Sequence, residues 1–361
     1  MKELEKKLRG EIPRLTNKTF QFDPRLKEGW YSAAYFLKTQ KIVKSEKNHQ
    51  HITLQFFQRS KERAILCGMD ESIALLETFV PEFSELEIYA LKDGDEIAAF
   101  EPVLQITGKY AYFGFLEGVI DGILARRTSV ASNVYEVLKA AKNHPVIFMG
   151  DRDDHFLQQQ GDGYAAFIGG ITAQCTMAMN EWWGKEGIGT MPHALIQNFG
   201  GDVVEASKAY LKHFPNDQLV ALVDYNNDVI TDSLLLAQEF GRKLYAVRVD
   251  TSEYLIDKSL EKESDTTDLY GVCPALIVKL RQNLDKNGFN FVKILVSGGF
   301  NAVKIAHFVD QKVPVDMYGV GSSLLKLQIS FTGDCVLLDG KPQAKVGRKF
   351  IENSRLEKVK F

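Results

Sequence analysis

The sequence predicts an α/β fold: an α/β barrel preceded by a small α/β unit and an antiparallel sheet, to which the C-terminal tail returns. From residue 146 onward, short apolar runs such as VIFMG, LVALVD, LYAVRVD and VKILVSGG alternate with helix-like segments. Buried parallel strands joined by right-handed crossover helices have this pattern, and a barrel is the most plausible arrangement of them. In addition, β-rich runs precede the alternation and another follows it.

Composition narrows the possible partners and the cellular compartment. A chain of 361 residues is longer than a single hydrophobic core normally serves. The net charge of -3 gives no general attraction for nucleic acid or an anionic membrane, so an anionic ligand needs a local positive pocket. The four cysteines form no CxxC pair, which argues against a zinc site or a disulfide framework. The N-terminus lacks the apolar run of a signal peptide, and we expect a cytoplasmic protein.

Residues 1–115 are predicted to form the N-terminal α/β domain. The run WYSAAYFLKTQKIV suggests a helix or a short helix and strand, HITLQFF suggests a strand, and DESIALLETF has helical spacing with acidic residues in its first turn. The stretch LEIYALKDGDEIAAFEPVLQITGKY then predicts antiparallel strands joined by the turn at Asp93-Gly94-Asp95.

Residues 116–325 are predicted to form the barrel. A long helix, FLEGVIDGILARRTSVASNVYEVLKAAKN, ends before Pro145 and is expected to bridge the two domains. The runs that follow it, GIGTM among them, are interpreted as barrel strands and crossover helices. Residues 326–361 form the predicted β tail, with a turn at Asp339-Gly340, packing on the N-terminal domain.

Polar residues gather where the apolar runs of the barrel end. The C-terminal ends of barrel strands share one face, so residues far apart in the chain can line one pocket. Taken alone, each of these residues could instead cap a helix, and the lone histidine could be a hydrogen-bonded residue of the core. The set comprises Arg152, Thr190, His193, Asp224, Arg248, Asp250, Ser297, Gly298, Gly299, Gly319, Gly321 and Ser322.

Two glycine-rich turns, SGGFN and GVGSS, predict a phosphate site. Each follows a β-run and precedes a helix-like segment, so backbone N–H groups and the helix dipole can hold an anion. They are the last two such turns in the barrel, where barrel phosphate sites are commonly found. The candidate residues are Ser297, Gly298 and Gly299 in the first turn and Gly319, Gly321 and Ser322 in the second.

Four arginines, Arg126, Arg127, Arg152 and Arg248, are candidates for the rest of an anion site. Guanidinium groups bind carboxylates and phosphates in a bidentate manner. The alternative is a salt bridge with a nearby acid, such as Asp250 for Arg248. Asp224 and Asp250 could contact ribose hydroxyls or hold Mg²⁺ through water, although neither belongs to a specific metal motif.

Read together, GTMPHALI, LVDYN, VRVDTSE, VKILVSGGFN, VDMYGVGSSLL and GKPQAKVGR resemble the nicotinate phosphoribosyltransferase family, among the type II phosphoribosyltransferases. The resemblance runs from about Gly29 to Lys349. It implies an α/β fold with an irregular α/β barrel and an N-terminal α/β sandwich domain to which the C-terminal tail returns. It also implies a dimer that converts nicotinate and phosphoribosyl pyrophosphate into nicotinate mononucleotide and pyrophosphate, with ATP as a co-substrate, and we expect Mg²⁺ to stabilise the leaving pyrophosphate. This reaction feeds NAD salvage.

The resemblance also assigns roles to individual residues. Its GT-x-x-H pattern falls on His193, which would become phosphorylated by ATP, and on Thr190, which would lie beside nicotinate. Arg248 falls on the arginine of VR-x-D, a candidate partner of the nicotinate carboxylate, and Tyr35 on the tyrosine that closes over the pyridine ring. The phosphate turns of the family coincide with the two glycine-rich turns.

The chain departs from the family pattern at three places. Ala33 occupies the position of an aspartate two residues before the tyrosine, and Asp153 replaces the second residue of a common Arg-Arg pair. The DSGD that follows the arginine reads Asp250-Thr251-Ser252-Glu253. These departures concern ribose and metal contacts more than the reaction.

Three other functions compete with this interpretation. Quinolinate phosphoribosyltransferase has a similar architecture without ATP coupling, and the GT-x-x-H pattern argues against it. A nicotinamide-specific enzyme would leave Arg248 without a carboxylate partner. A non-catalytic sensor of phosphoribosyl ligands on the same fold is the rival of another class, because a fold never guarantees an activity.

Overall fold

The computed structural model describes residues 3–189, 191–263 and 268–360. The predicted site residue Thr190 therefore lies outside the described residues. The N-terminal part of the chain begins with helices and mostly antiparallel strands: α1 (Glu3–Leu8), α2 (Ala34–Ser45), β1 (His51–Gln58), β2 (Ala64–Ile65), α3 (Met69–Phe79), β3 (Glu87–Ala90), β4 (Glu96–Ile97), β5 (Leu104–Lys109), α4 (Tyr110–Phe113) and α5 (Glu117–Ala141).

The middle of the chain alternates strands with helices, as predicted. Its elements are β6 (Val146–Phe148), α6 (Gln159–Ile168), β7 (Ala173–Gln174), α7 (His193–Asn198), α8 (Val203–His213), β8 (Leu219–Leu222), α9 (Val229–Phe240), β9 (Leu244–Val249), α10 (Pro274–Lys286), β10 (Lys293–Val296), α11 (Ala302–Asp310) and β11 (Met317–Val320). The tail contains β12 (Phe331–Leu338), β13 (Lys341–Pro342) and β14 (Glu357–Lys358).

A six-stranded antiparallel sheet with the order β13-β12-β1-β5-β3-β14 joins both ends of the chain. Strand β1 lies between β12 and β5, with Leu54 opposite Cys335 on one side and Ile106 on the other. Six consecutive residues of β1 are buried, as expected of a central strand covered on both faces. The C-terminal tail thus returns to the N-terminal sheet, and this part of the predicted fold class is confirmed.

The second six-stranded sheet is parallel, with the order β7-β6-β11-β10-β9-β8. It forms a half-barrel. In β9, Arg248 pairs with Leu295 of β10 and with Leu222 of β8, so the three strands end at the same level. The strands are mostly buried apolar residues, because crossover helices cover them. The predicted α/β barrel is confirmed. The run GIGTM is not a strand, however: Gly187, Ile188 and Gly189 lie in an irregular segment.

Helix α5 contributes to two hydrophobic cores. Ile120 and Leu124 near its start pack with the antiparallel sheet, whereas Val130, Val134 and Val137 further along pack with the half-barrel. The helix has 25 residues, and its first and second halves pack against different cores. The sequence-based expectation that this helix bridges the two parts agrees with this packing. None of the described helices is long and apolar enough to cross a lipid bilayer.

Candidate active site

The carboxyl ends of the parallel strands surround a cavity of about 620 Å³, a size suited to a small-molecule ligand. Residues from Met149, just after β6, to Ser322, just after β11, line it. Most of the predicted site residues are among them: Arg152, His193, Arg248, Asp250, Ser297, Gly298, Gly299, Gly319, Gly321 and Ser322. A smaller cavity of about 320 Å³ beside α5 and α11 is lined by none of the predicted site residues.

His193 is the first residue of α7, and its ring contacts a buried carboxylate. The Nε2 atom of His193 lies 3.0 Å from Oδ2 of Asp224, which follows β8. Asp224 does not line the cavity itself, but it contacts His193, which does. Burial raises the pKa of the Asp224 carboxyl, and the neighbouring imidazole acts in the opposite direction. The pair is therefore a histidine oriented by a carboxylate, which leaves Nδ1 as the other ring nitrogen.

Arg248 lies within β9, and its guanidinium group lines the cavity. Burial lowers the pKa of this guanidinium, although Asp250 and Asp224 nearby favour its charged form. Its NH2 atom is 3.9 Å from Oδ2 of Asp250. The hydroxyl of Ser297 donates to Oδ1 of Asp250 at 2.8 Å, which joins the end of β9 to the first glycine-rich turn.

The first glycine-rich turn needs its glycines for conformation. Gly298 and Gly299 have φ angles of +89° and +67°, in the left-handed region that favours glycine. Within the described chain, the N–H groups of Gly298, Gly299 and Phe300 bind no acceptor. Such a group of N–H donors is suited to an anion.

The second glycine-rich turn needs its glycines for space. A Cβ atom on Gly319 would lie 2.6 Å from Sδ of Met149, and one on Gly321 would lie 2.6 Å from Oδ2 of Asp153. The two turns are also connected, because the Ser323 hydroxyl donates to the carbonyl oxygen of Phe300 at 2.9 Å. They form one wall of the cavity.

Arg126 and Arg127 do not line this cavity. Arg126 donates to both carboxylate oxygens of Asp162, at 2.9 and 2.7 Å, and to Asp154 at 2.6 Å. Arg127 donates to Glu71 at 2.9 Å and lies 3.5 Å from Asp162. Both arginines thus form salt bridges with acidic residues, which was the alternative considered for them from the sequence. Their substrate-binding role stays a prediction.

Tyr35 lies apart from the cavity as well. It is on the first turn of α2, its side chain is 64% exposed, and its ring centroid is 4.3 Å from that of Phe36. Ala33, which stands where the family pattern has an aspartate, is the N-cap of α2 and provides no side-chain hydrogen bond to the helix.

Six residues of the cavity wall were not among the predicted site residues: Met149, Asp151, Asp153, Met191, Pro192 and Phe300. The rule that polar residues after a strand share one face could have identified Asp151, because it lies three residues after the end of β6 and directly before the predicted Arg152. Met149 and Phe300 carry no polar signal that sequence reasoning could have used. The half-buried ammonium group of Lys304, which donates to the carbonyl oxygen of Gly298 in the first turn, was also missed.

Comparison with known proteins defines the class to which this fold and site belong. A family model described as quinolinate phosphoribosyl transferase, N-terminal domain, matches residues 33–128. The crystal structure of nicotinate-nucleotide pyrophosphorylase from Pyrococcus furiosus is 31% identical, with a TM-score of 0.80, and the match covers 94% of this chain and 85% of that one. The chain is a type II phosphoribosyltransferase in its architecture.

Curated relatives identify the family within this class. Nicotinate phosphoribosyltransferase pncB1 of Mycobacterium tuberculosis is 29% identical over 272 residues, which are 74% of this chain and 53% of that protein. The chain spans about half the length of the curated relatives it matches. Human nicotinic acid phosphoribosyltransferase shares the fold at 15% identity, with a TM-score of 0.67 over 88% of this chain and 77% of the human one. The chain belongs to the nicotinate phosphoribosyltransferase family, as its motifs predicted.

Proposed function

We propose that this protein is a nicotinate phosphoribosyltransferase of NAD salvage, acting in the cytoplasm and coupled to ATP hydrolysis. The observation that carries the proposal is that Arg248 and both glycine-rich turns line one cavity. A guanidinium group suits a pyridine carboxylate, and turns rich in free N–H groups suit phosphates. A ligand that carries both groups is the product of joining nicotinate to a phosphoribosyl unit.

The proposed reaction is a displacement at C1 of the ribose. The ring nitrogen of nicotinate forms a bond to C1 while the bond from C1 to the pyrophosphate oxygen breaks, and the electron pair leaves with pyrophosphate. A pyridine nitrogen is already a nucleophile, so no general base is required. The protein's contribution is to hold two anionic substrates against their mutual repulsion, for which Arg152 and Arg248 on the cavity wall provide charge.

His193 provides the proposed link to ATP. Because Nε2 is engaged by Asp224, the lone pair of Nδ1 is the one that attacks the γ-phosphorus of ATP. A bond forms from Nδ1 to phosphorus, the bond to the bridging oxygen breaks, and ADP leaves. The buried Asp224 stabilises the positive charge that the ring acquires. The phosphorylated histidine lies on the cavity wall and favours the form that binds substrates tightly.

The proposed Mg²⁺ would be held largely by the substrate. The described residues contain no group of three or more histidine, cysteine or acidic side chains that could hold a metal ion. Mg²⁺ commonly binds through one or two carboxylates together with substrate phosphates, and the donor set here fits that pattern. Asp250 on the cavity wall is the carboxylate for this role, and the ion would neutralise charge on the leaving pyrophosphate.

A second copy of the chain is part of the proposal. Tyr35 does not reach the cavity of its own chain, yet the family pattern gives it a position over the pyridine ring. It belongs to a group of exposed aromatic residues with Trp30 and Tyr31, which are 66% and 50% exposed. Exposed apolar patches of this kind commonly mark interfaces. In a homodimer, Tyr35 of one copy would close the site of the other.

Quinolinate is the second candidate substrate, because the matching family model describes the N-terminal domain of quinolinate phosphoribosyl transferase. Its extra carboxylate would require a further cation besides Arg248. Arg152 is the other arginine on the cavity wall, and Asp153 beside it opposes a second carboxylate. The charge of the cavity therefore favours the monocarboxylate.

Product analysis tests the proposal directly. The full chain is incubated with phosphoribosyl pyrophosphate, Mg²⁺ and either nicotinate, quinolinate or nicotinamide, with and without ATP, and the products are identified by mass spectrometry. We expect nicotinate mononucleotide and pyrophosphate from nicotinate, with a higher yield when ATP is hydrolysed. Turnover of quinolinate with release of carbon dioxide would select the second candidate. Binding of the substrates without any product would select a sensor.

A further inference from the structure

The position of Lys304 is electrostatically unfavourable when no ligand is bound. It is the third residue of α11, where its backbone N–H donates to the capping side chain of Asn301 at 3.0 Å. A cation in the first turn of a helix opposes the helix dipole. Local rules of this kind are commonly broken at functional sites, where a ligand compensates for the cost.

The ammonium group of Lys304 is directed behind the first glycine-rich turn. Its Nζ atom donates to the carbonyl oxygen of Gly298 at 3.2 Å and lies 4.4 Å from the centroid of the Phe300 ring. Phe300 is 2% exposed and belongs to the cavity wall. Lys304 thus contacts both ends of the segment from Gly298 to Phe300, while it does not line the cavity itself.

The charge of Lys304 is not balanced by an ion pair within the described part of the chain. Burial lowers the pKa of its ammonium group, and the weaker influences of Cys273 and Glu253 do not reverse the shift. Among the described residues, no carboxylate forms an ion pair with it. A half-buried cation, a helix N-terminus and a turn with three free N–H groups therefore concentrate positive potential at one point.

We propose that Lys304 is a positioning residue for phosphate binding: it holds the Gly298–Phe300 turn in its anion-binding form and supplies charge that a phosphate group in the cavity balances. The inference rests on the proposed function, because the phosphate belongs to the phosphoribosyl substrate. The hydrogen bond to the carbonyl oxygen of Gly298 restrains the peptide group that carries the N–H of Gly299. The contact with the Phe300 ring supports the end of the turn, and the Ser323 hydroxyl bonded to Phe300 extends this support to the second turn.

Binding of ribose 5-phosphate tests this role without turnover. Calorimetry in the presence of a metal chelator compares the full-length protein with Lys304→Met, which keeps the apolar stem, and Lys304→Arg, which keeps the charge. We expect Lys304→Met to raise the dissociation constant about tenfold and Lys304→Arg to raise it by no more than about threefold. Lys293→Met is the matched control: this lysine is exposed, lies over the ring of Tyr245 and begins β10, whose other end leads into the turn. The affinity of Lys293→Met for ribose 5-phosphate should equal that of the unchanged protein.

Thermal unfolding separates positioning from general stability. Lys304→Met removes an unpaired cation from a helix N-terminus, so its melting temperature should equal or exceed that of the unchanged protein while its phosphate affinity falls. In the enzyme assay, the KM for phosphoribosyl pyrophosphate should rise and the KM for nicotinate should stay the same. Unchanged ribose 5-phosphate affinity in Lys304→Met, or an equal loss in Lys293→Met, would overturn the inference. If the protein made no nicotinate mononucleotide, the calorimetry would still decide the role of Lys304.

Discussion

Nε2 of His193 is hydrogen-bonded to one oxygen of Asp224, and the other oxygen of that carboxylate, Oδ1, is buried without a hydrogen-bond partner in the described chain. The His193 ring is therefore the side-chain hydrogen-bond partner of this carboxylate, which also lies near enough to Arg248 to favour the charge of that guanidinium. Such an arrangement fixes the tautomer of the ring and prepares it to carry positive charge.

Asp224→Asn should uncouple ATP from the reaction. The amide neither fixes the tautomer nor stabilises the charged ring, so phosphorylation of His193 should slow by at least about tenfold. Mass spectrometry of the protein at successive times after addition of ATP measures the rate of His193 phosphorylation. Basal turnover without ATP should change much less. Asp228→Asn provides the control, since this residue caps α9 four positions further along and asparagine caps equally well. Normal phosphohistidine in Asp224→Asn would contradict the assignment.

Arg248→Ala should raise the KM for nicotinate by roughly 10- to 100-fold, because a charge-assisted hydrogen bond to the pyridine carboxylate is lost. Nicotinamide has no carboxylate, so any weak activity with it should not fall in parallel. Steady-state kinetics with both pyridines gives the comparison. An equal loss for the two would instead assign Arg248 to the phosphoribosyl unit.

Asp153→Asn should tighten the binding of inorganic pyrophosphate. Asp153 brings a carboxylate to the wall of an anion cavity, close to the backbone of Gly321, and its removal should lower the dissociation constant by about two- to fivefold. Calorimetry in the presence of a metal chelator measures pyrophosphate binding without metal ions, so that any contact between Asp153 and a metal does not affect the result. Asp310→Asn, an exposed carboxylate at the end of α11, should leave the affinity unchanged. Weaker binding in Asp153→Asn would mean that this carboxylate organises the site.

The stability of the protein should depend on pH through two acids of α5. Burial raises the pKa of Asp121 and of Glu117 to about 7, and each also repels a neighbouring carboxylate. Their folded-state pKa exceeds the ordinary values of 3.8 and 4.5, so both groups favour folding when protonated. Stability is therefore lost as pH rises from about 4 to about 7.

Asp121→Asn tests this dependence, because the amide oxygen can still accept the hydrogen bond from the backbone of Gly333. We expect a higher melting temperature than that of the unchanged protein at pH 8 and little difference at pH 4. Asp339→Asn, in the exposed turn after β12, should show no such pH dependence. A melting temperature of Asp121→Asn that falls below the unchanged protein at pH 8 would refute the linkage.

The fold class and the position of the two glycine-rich turns were predictable because they depend on local patterns. Apolar runs of strand length, glycines after them and the shared face of parallel strand ends are all visible in the sequence. Helix α5 and the hairpin at Asp339-Gly340 were predictable for the same reason. Both residues of that turn have positive φ angles, as Asp-Gly turns commonly do.

The partners of the arginines were not predictable from local patterns. Arg126 and Arg127 belong to the same residue type as Arg248, yet their carboxylate partners Asp162 and Glu71 lie 36 and 56 residues away in the chain. Only the packing of α5 against α3 and α6 brings them together. The run GIGTM does not form a strand over its described residues, because glycines flank Ile188. The N–H of Ile188 donates to the carbonyl oxygen of Gln174 in β7 at 2.9 Å, but this bond does not extend into a ladder.

Helix α5 has a consequence for how the chain can unfold. Because its early residues belong to one hydrophobic core and its later residues to the other, neither core can lose its structure without exposing apolar side chains of the same helix. Melting of either half should therefore propagate along α5 into the other, and the two halves should denature in a single cooperative transition. A protein cut within this helix should yield no fragment that refolds alone.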